Sequence, residues 1–382
     1  MELLRLNEIH KVLRLTCGKI LTPCFCFVGL IANTLNVVVL TRAWMSSSTN
    51  VYLTAVAVCD IFYLLFCFLF SLYAYDTIRE AKFYIYSISF ILGTANLFSN
   101  TNTWLTVCFT LERYIAVSSP ILGRRFCTQQ RARYVVAVVF LLSLFITFPD
   151  YLKRTVVVEQ SPHPTNSSIL VPLYRLVESS YYKYLVLIGY NYINQVLFVL
   201  IPMVLLIIFN SLLVRSVLQA NKGRRGLVRH TNGSRSNIQT AVDLTSGITQ
   251  SFSQSGKAIV LQPTHQRRPI FGEQQRITIM LISIVMAFVL LQLPSTVPNI
   301  ADSLWKAGIL VQTEINKKYM MLYSNVSNVL LIVNAAMNFV FYSLFSAKFR
   351  QTCCMLFAQC RCGTGPQGSV SSASLRTTRK CF

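Results

Sequence analysis

Two oppositely charged residues stand side by side at the end of a long uncharged run. Glu112 and Arg113 follow the stretch 84–111, which contains no Asp, Glu, Lys or Arg. An arginine at the end of an apolar helix is costly unless it is bonded, and a neighbouring glutamate offers it a charge-assisted hydrogen bond. The pair could therefore work as a latch with two states, or Arg113 could simply extend to the membrane surface.

Polar side chains also occur inside other apolar runs, where they are costly and usually functional. Asp60 is the only carboxylate in the middle of such a run. It suits either a structural hydrogen-bonding hub or a cation site. The other polar positions are held by asparagines: Asn33, Asn96, Asn100, Asn102, Asn325, Asn328, Asn334 and Asn338.

The residue sets needed for catalysis inside a membrane are missing from these runs. Such chemistry would need paired aspartates, a Ser/His pair or a histidine cluster. All four histidines lie in predicted loops or tails: His10, His163, His230 and His265. We therefore expect no enzyme activity and, apart from the sodium ion considered below, no cofactor.

The apolar runs themselves define the elements that position these residues. The chain has 382 residues, of which 53% are hydrophobic and 13% charged, too apolar a mixture for a soluble domain. Backbone groups facing lipid must be bonded within their own segment, so runs long enough to cross a bilayer predict helices. The sequence predicts an all-α membrane protein with a seven-transmembrane helix bundle, whose spans are 20–41, 51–74, 84–111, 132–152, 184–214, 277–301 and 319–345.

The net charge of +22 is divided unevenly between the two sets of loops. One set, with the C-terminal tail, carries 21 Lys and Arg against two acids, and the other carries 13 against nine. The positive-inside rule predicts an N-terminus outside the cell and a C-terminus in the cytoplasm of a multi-pass plasma-membrane protein. Because the basic residues are dispersed over loops, we expect no nucleic-acid partner.

The segments between and after the spans divide the chain further. Residues 1–19 form a predicted extracellular N-terminus, followed by the transmembrane domain 20–345. Within it, β-branched residues flanking a Pro/Ser/Asn turn predict a β-hairpin over 153–183. The polar stretch 220–272 predicts a disordered cytoplasmic loop.

Beyond the last span, residues 346–357 predict a short amphipathic helix on the membrane surface. Cys353 and Cys354 in this helix are candidate palmitoylation sites. The remainder, 358–382, is predicted to be a disordered cytoplasmic tail.

The motifs together resemble the rhodopsin-like (class A) G-protein-coupled receptors over roughly 20–357, and among them the invertebrate FMRFamide-type neuropeptide receptors. "LERYIAVSSP" is similar to that family's motif at the inner end of helix three, and "NFVFY" to its helix-seven motif, with Phe339 where proline is usual. The remaining matches are Asn33 in "ANTLNVVVL", Asp60 in "LTAVAVCD", Pro202 in helix five and Pro294 in helix six.

The resemblance implies a receptor that binds an extracellular ligand, a neuropeptide, and activates a heterotrimeric G protein, with arrestin and membrane lipid as further partners. A receptor for a non-peptide chemosensory ligand, or a channel or transporter, are the alternatives. The implied G-protein coupling and switch residues are Glu112, Arg113, Tyr114, Asn338 and Tyr342. The implied sodium site is formed by Asp60, Asn102, Asn334 and Asn338.

Several positions depart from the family pattern. Ile88 stands where the family has a cysteine at the outer end of helix three, and 153–183 contains no cysteine, so the usual loop disulfide is absent. We therefore expect a more mobile hairpin and a more open pocket. Gln292 replaces the helix-six tryptophan and Asn210 the helix-five tyrosine.

The ligand is expected to enter between the outer ends of helices three, five, six and seven. Ala95 stands where amine receptors place an aspartate, and Ile332 where opsins place the retinal lysine. Tyrosines at the outer ends offer contact area to a peptide, or form an interfacial aromatic belt. The predicted ligand-binding residues are Ala95, Asn96, Tyr190, Asn191, Asn194, Gln195 and Gln292. Asn166, in "NSS", is the predicted glycosylation site.

Overall fold

The computed structural model describes residues 2–163, 166–187, 189–219, 270–306 and 308–361. It is a bundle of long helices with one two-stranded antiparallel sheet. In chain order the helices and strands are α1 Glu2–Leu15, α2 Thr22–Leu40, α3 Ser48–Ser71, α4 Asp76–Arg79, α5 Lys82–Ser118, α6 Pro120–Phe126, α7 Gln129–Tyr151, β1 Arg154–His163, β2 Asn166–Glu178, α8 Ser180–Leu187, α9 Tyr190–Gln219, α10 Ile270–Lys306, α11 Glu314–Phe345 and α12 Ala347–Arg361. A π-helical segment, Thr16–Leu21, joins α1 to α2 without a break.

Side-chain caps fix the first turn of three of these helices. Ser47 accepts a hydrogen bond from the backbone N–H of Asn50, and Thr128 and Thr313 do the same for α7 and α11. A serine or threonine at this position satisfies one of the N–H groups that a helix start leaves unpaired.

Six helical segments of the described chain are long and apolar enough to cross a membrane, against seven apolar runs in the prediction. The exception is α5, the helix of the predicted third span. Its middle is rich in asparagine and threonine, which lowers its hydropathy. The hydroxyls of four of its threonines donate to carbonyls one turn earlier in the same helix, so these groups are satisfied: Thr101, Thr103, Thr106 and Thr110.

The predicted boundaries of several elements are wrong. Helix α10 extends over 270–306 rather than 277–301, so 270–272 belong to a helix and not to the predicted disordered loop; its other residues, 220–269, lie outside the described residues. The predicted fifth span begins too early, because Gly189, with φ at 81°, separates α8 from α9. Helix α12 continues to Arg361, into the predicted tail.

The outer surface of the bundle is apolar. Phe145 on α7 is 81% exposed, and Phe27 on α2 and Leu290 on α10 are also exposed. Soluble monomers rarely present so much contiguous apolar surface to water. The surface therefore suits hydrocarbon, and with six apolar helices it defines a multi-pass membrane protein.

Close helix packing lies beneath this surface. A Cβ atom on Gly29 of α2 would come within 2.7 Å of Leu64 and 3.0 Å of Ala336, so a larger residue here would require α3 or α11 side chains to shift. A buried apolar cluster fills the half of the bundle near Glu112 and includes Leu105, Leu206 and Val285.

The predicted β-hairpin is confirmed by the pairing of β1 with β2. It packs against a buried apolar cluster on the first turns of α5, which includes the completely buried Ile88, and Val156 and Leu176 are among the hairpin side chains that contact this cluster. The Ser89 hydroxyl also donates to the carbonyl of Arg154 at 3.0 Å. Hydrophobic packing therefore joins the hairpin to α5 where the family pattern has a disulfide.

Candidate functional site

A cavity of about 300 Å³ lies among α5, α7, α9, α10 and α11, near the start of the hairpin. We call it the smaller cavity. Five of the residues predicted to bind ligand line it: Asn96, Asn191, Asn194, Gln195 and Gln292. The structure thus brings together polar residues from three helices that the sequence separates by almost 200 positions, while their role in binding stays a prediction.

A second cavity, of about 710 Å³, adjoins the first and is called the larger cavity. Ala95, the sixth predicted ligand residue, lines it. Its wall also includes His10 and Arg14 of α1, a helix that the sequence analysis did not predict. The two cavities share lining residues from α5 and α11: Asn96, Ser99, Ser324, Asn328 and Leu331.

Asp150, at the end of α7, is a buried carboxylate on the wall of the smaller cavity. The Asn96 amide donates to its Oδ2 at 3.0 Å. The Tyr190 hydroxyl donates to its Oδ1 at 3.4 Å and to the carbonyl of Ile146 at 3.1 Å. Tyr190, predicted to bind ligand, is therefore placed behind this wall and supports the carboxylate.

The sequence analysis missed Asp150 because an acid in the last turn of an apolar run is easily assigned to the following loop. Two cations follow it in the chain. The Lys153 ammonium lies over the Tyr182 ring, 4.5 Å from its centroid. Burial lowers the pKa of the Arg154 guanidinium, and the charge of Asp150 acts in the opposite direction.

Several tyrosines near the outer ends of the helices donate hydrogen bonds to the protein itself. The Tyr84 hydroxyl donates to the carbonyl of Leu69 at 2.9 Å, and that of Tyr192 to the carbonyl of Ser303 at 2.7 Å. The hydroxyl of Tyr182 donates to the Asn191 side chain. These rings join neighbouring elements, whereas Tyr73 lines the larger cavity.

Asp60 is completely buried in the bundle and lies between two of its predicted partners. The Asn102 amide donates to Oδ1 and the Asn338 amide to Oδ2, each at 2.7 Å. Asn334 lies one turn before Asn338 on α11, and within the described residues no hydrogen bond joins it to Asp60. The Oδ1 atom of Asn102 is buried and has no hydrogen-bond partner in the described part of the chain.

Glu112 and Arg113 form an ion pair, with 2.8 Å between the Arg113 Nη2 and Glu112 Oε1 atoms. The Ser48 hydroxyl, at the start of α3, donates to the same oxygen at 2.6 Å. Sequence reasoning missed Ser48 because 64 residues separate it from Glu112. Tyr114, the third residue of the motif, is half-buried on the same helix.

Helix α11 continues without interruption through the helix-seven motif, including Phe339. The Phe339 and Tyr342 rings both pack on Phe349 of α12, with centroid distances of 5.7 and 5.6 Å. The position where proline is usual therefore joins the last long helix to α12. The Tyr342 side chain is buried, and its hydroxyl has no hydrogen-bond partner among the described residues.

The predicted modification sites lie in the hairpin and on α12. Asn166 is the first residue of β2 in the hairpin. Cys353 and Cys354 are half-buried on α12, and burial raises the pKa of the Cys353 thiol. Glycosylation and palmitoylation stay predictions. Within the described ranges, no group of three or more His, Cys, Asp or Glu residues forms a metal site.

Comparison with known proteins identifies the class to which this arrangement belongs. The model of the 7 transmembrane receptor (rhodopsin family) matches residues 33–342. The chain therefore belongs to the rhodopsin family of seven-transmembrane receptors, a family of receptors and not of enzymes.

Individual relatives are more distant in sequence. The FMRFamide receptor of Drosophila melanogaster is 26% identical over 362 residues, which cover 92% of this chain and 55% of the relative. The sex peptide receptor of Drosophila melanogaster is 29% identical over 223 residues, 54% of this chain and 49% of the relative. The G-protein coupled receptor dmsr-1 of Caenorhabditis elegans is 24% identical over 391 residues, 94% of this chain and 72% of the relative. The chain thus spans about half the length of the two Drosophila relatives.

Proposed function

We propose that this protein is a receptor that binds an extracellular peptide and activates a heterotrimeric G protein. The observation that carries the proposal is that α5 connects the cavities, the Asp60 pocket and the Glu112–Arg113 ion pair. This one helix presents Asn96 to both cavities, bonds Asp60 through Asn102, and carries Glu112 and Arg113 near its other end. With a rise of about 1.5 Å per residue, Asn96 and Arg113 are about 25 Å apart along it.

The cavities and the relatives both support a peptide as the ligand. The relatives are named as receptors for FMRFamide and for sex peptide. Two adjoining cavities of about 300 and 710 Å³ exceed what a small amine would fill. Amide side chains around them suit an extended ligand with many backbone hydrogen-bonding groups. A non-peptide ligand is the competing outcome of the screen described below.

The ion pair of Glu112 and Arg113 is proposed to be the latch of the inactive state. Three features support this role: the pair is closed, Ser48 bonds the same carboxylate, and the Arg113 Nε atom is buried without a partner in the described part of the chain. Separation of the helices would free Arg113 to bond the G protein. Tyr114, Asn338 and Tyr342 complete the proposed switch.

The Asp60 pocket is proposed to hold sodium in the same state. A carboxylate and amide oxygens are the ligands that a hard cation prefers, and the unpartnered Asn102 Oδ1 atom is available for one. Asn334 and Asn338 would contribute further oxygens from α11. The ion would stabilise the packing of α3, α5 and α11 that Asp60 already joins.

The orientation proposed is an extracellular N-terminus and a cytoplasmic C-terminus in the plasma membrane. Glycan at Asn166 then lies outside, while α12 lies on the inner leaflet, with palmitate on Cys353 and Cys354 as an anchor and arrestin as a second intracellular partner. The apolar packing of Phe349 supports the docked position of α12.

The test is a signalling screen on cells that express the full chain. Dose responses to short amidated peptides, biogenic amines and lipids are recorded against untransfected cells. A response to one or more peptides is expected. A robust response to an amine or a lipid, with none to any peptide, would refute the peptide assignment.

A further inference from the structure

The smaller cavity has a concentration of hydrogen-bond acceptors on one wall. Asp150 contributes a carboxylate, and the Oδ1 atom of Asn194 and the Oε1 atom of Gln195 are buried. Neither of these two amide oxygens has a hydrogen-bond partner in the part of the chain that the structure describes. The two residues that carry these oxygens line the cavity. Buried polar atoms are normally bonded, so their unpartnered acceptors indicate donors on a ligand that enters it.

The carboxylate of Asp150 is only 4% exposed, yet its hydrogen-bond donors are neutral. They are the Asn96 amide and the Tyr190 hydroxyl. Over the described ranges no ion pair joins Asp150 to a cation. A buried charge is strongly unfavourable without a partner of opposite sign, and the neutral donors position the carboxylate without cancelling its charge.

Among the described residues, neither neighbouring cation forms an ion pair with Asp150. Lys153 lines the same cavity, but its ammonium lies over the Tyr182 ring. Arg154 influences Asp150 electrostatically without forming an ion pair, and its backbone carbonyl accepts a hydrogen bond from Ser89 at the start of the hairpin. Asp302, a second acid on the cavity wall, adds to its negative character.

We propose that the smaller cavity is a subsite for a guanidinium group of the ligand, with Asp150 as its counter-ion. A guanidinium is planar, always charged and carries five N–H donors, which matches one carboxylate and two further acceptors better than a compact ammonium does. The inference rests on the proposed function, since it identifies an arginine side chain of the peptide as the group bound. Asp150 thus supplies a counter-ion next to the larger cavity, where Ala95 offers none.

The first test uses a small probe and needs no identified peptide. The melting temperature of the detergent-solubilised full chain is measured with L-argininamide and with L-citrullinamide, which replaces the guanidinium by a neutral urea group. Preferential binding to the folded state raises the melting temperature. We expect a rise with L-argininamide alone, its loss in Asp150→Asn, and its retention in Glu80→Gln, at an exposed acid that lines neither cavity.

Equal shifts with both probes, or an argininamide shift that persists in Asp150→Asn, would overturn the subsite. If Asp150→Asn does not reach the cell surface, Asn194→Leu takes its place. That variant removes one acceptor and keeps the carboxylate, so the argininamide shift is expected to shrink. An unchanged shift in Asn194→Leu would count against the proposal in the same way.

The second test uses paired tetrapeptide amides that differ by arginine or citrulline at one position. A charged hydrogen bond of this kind corresponds to roughly ten- to a hundredfold in potency. We expect that difference in the wild type and nearly equal potencies in Asp150→Asn. Peptide potencies that are unaffected by citrulline and by Asp150→Asn would refute the subsite and leave the receptor function standing. An argininamide shift without a response to any peptide would support the subsite and count against the receptor function.

Discussion

A single carboxylate oxygen of Glu112 accepts hydrogen bonds from two different helices. Arg113 belongs to α5 and Ser48 to α3, so the latch depends on how these helices sit together as well as on the adjacent charge pair. Removing one of two such bonds should weaken the closed state without abolishing it.

We therefore expect Ser48→Ala to raise basal G-protein signalling, and Glu112→Gln to raise it further because it also removes the ion pair. A hydrogen bond to a charged group contributes roughly 1.5–3 kcal/mol, enough to change a two-state population about tenfold. Basal nucleotide exchange per receptor at the surface is the measurement. Ser46→Ala, at an exposed serine two residues away, is the matched control. Equal basal activity in Ser48→Ala and this control would contradict the role of Ser48.

The geometry of Asp60 suits both a structural hydrogen-bonding hub and a sodium ligand. If sodium binds there, replacing potassium by sodium should lower basal exchange in the wild type and leave Asp60→Asn unchanged, since the variant has lost the carboxylate charge. The comparison is made at constant ionic strength. A wild type indifferent to sodium would leave Asp60 as a hydrogen-bonding hub alone.

Among the elements, the hairpin and α5 show how packing can replace a covalent link. The missing cysteine predicts a mobile hairpin, whereas Ile88, in the cysteine's place, is completely buried in the apolar cluster against which the hairpin packs. The strand pattern was visible in the sequence because it is local. The contact with α5 was not, because it joins segments almost 70 residues apart.

Ile88→Ala is expected to loosen the hairpin, since truncating a buried isoleucine costs about 2–5 kcal/mol. Trypsin should then cleave at Arg175 or Lys183 several times faster than in the wild type, and peptide potency should fall. Phe83→Ala is the control, because Phe83 lies on the same helix but is 87% exposed. Cleavage at the wild-type rate in Ile88→Ala would show that other contacts hold the hairpin.

Helix α5 also shows where hydropathy misleads. Its polar residues leave it out of the six helical segments that are apolar enough to cross a membrane. Its threonines nevertheless bond within the helix, and its asparagines bond Asp60, Thr147 and Asp150. The ends of α5 and α10 extend beyond the predicted spans because a helix is held by its backbone hydrogen bonds, which continue past the apolar run.

For the molecule as a whole, the sequence was sufficient to predict the class of protein and much of the lining of the smaller cavity. Apolar runs and ordered motifs predicted a receptor bundle, and five of seven predicted ligand residues line one cavity. Asp150, Ser48 and α1 were missed because each acquires its significance from contacts distant in sequence. Hydropathy and motif spacing report local properties, and only packing brings these residues together.

The proposed orientation can be tested through its glycan. Asn166 lies in the hairpin, which the charge asymmetry predicts to be outside the cell, so a glycosidase should shift the protein on a gel and Asn166→Gln should abolish that shift. Asn232→Gln, at a sequon predicted to be cytoplasmic, is the control and should leave the shift intact. A glycan that survives Asn166→Gln would contradict this topology.

In the proposed function, ligand in the outer cavities releases Arg113 to activate a G protein. The most direct measurement is peptide-stimulated nucleotide exchange on a purified heterotrimeric G protein by the wild type and by Arg113→Ala at matched surface expression. We expect the most potent peptide of the screen to stimulate exchange by the wild type, and Arg113→Ala to bind it but give no exchange. Exchange by Arg113→Ala equal to that of the wild type would contradict this role of Arg113.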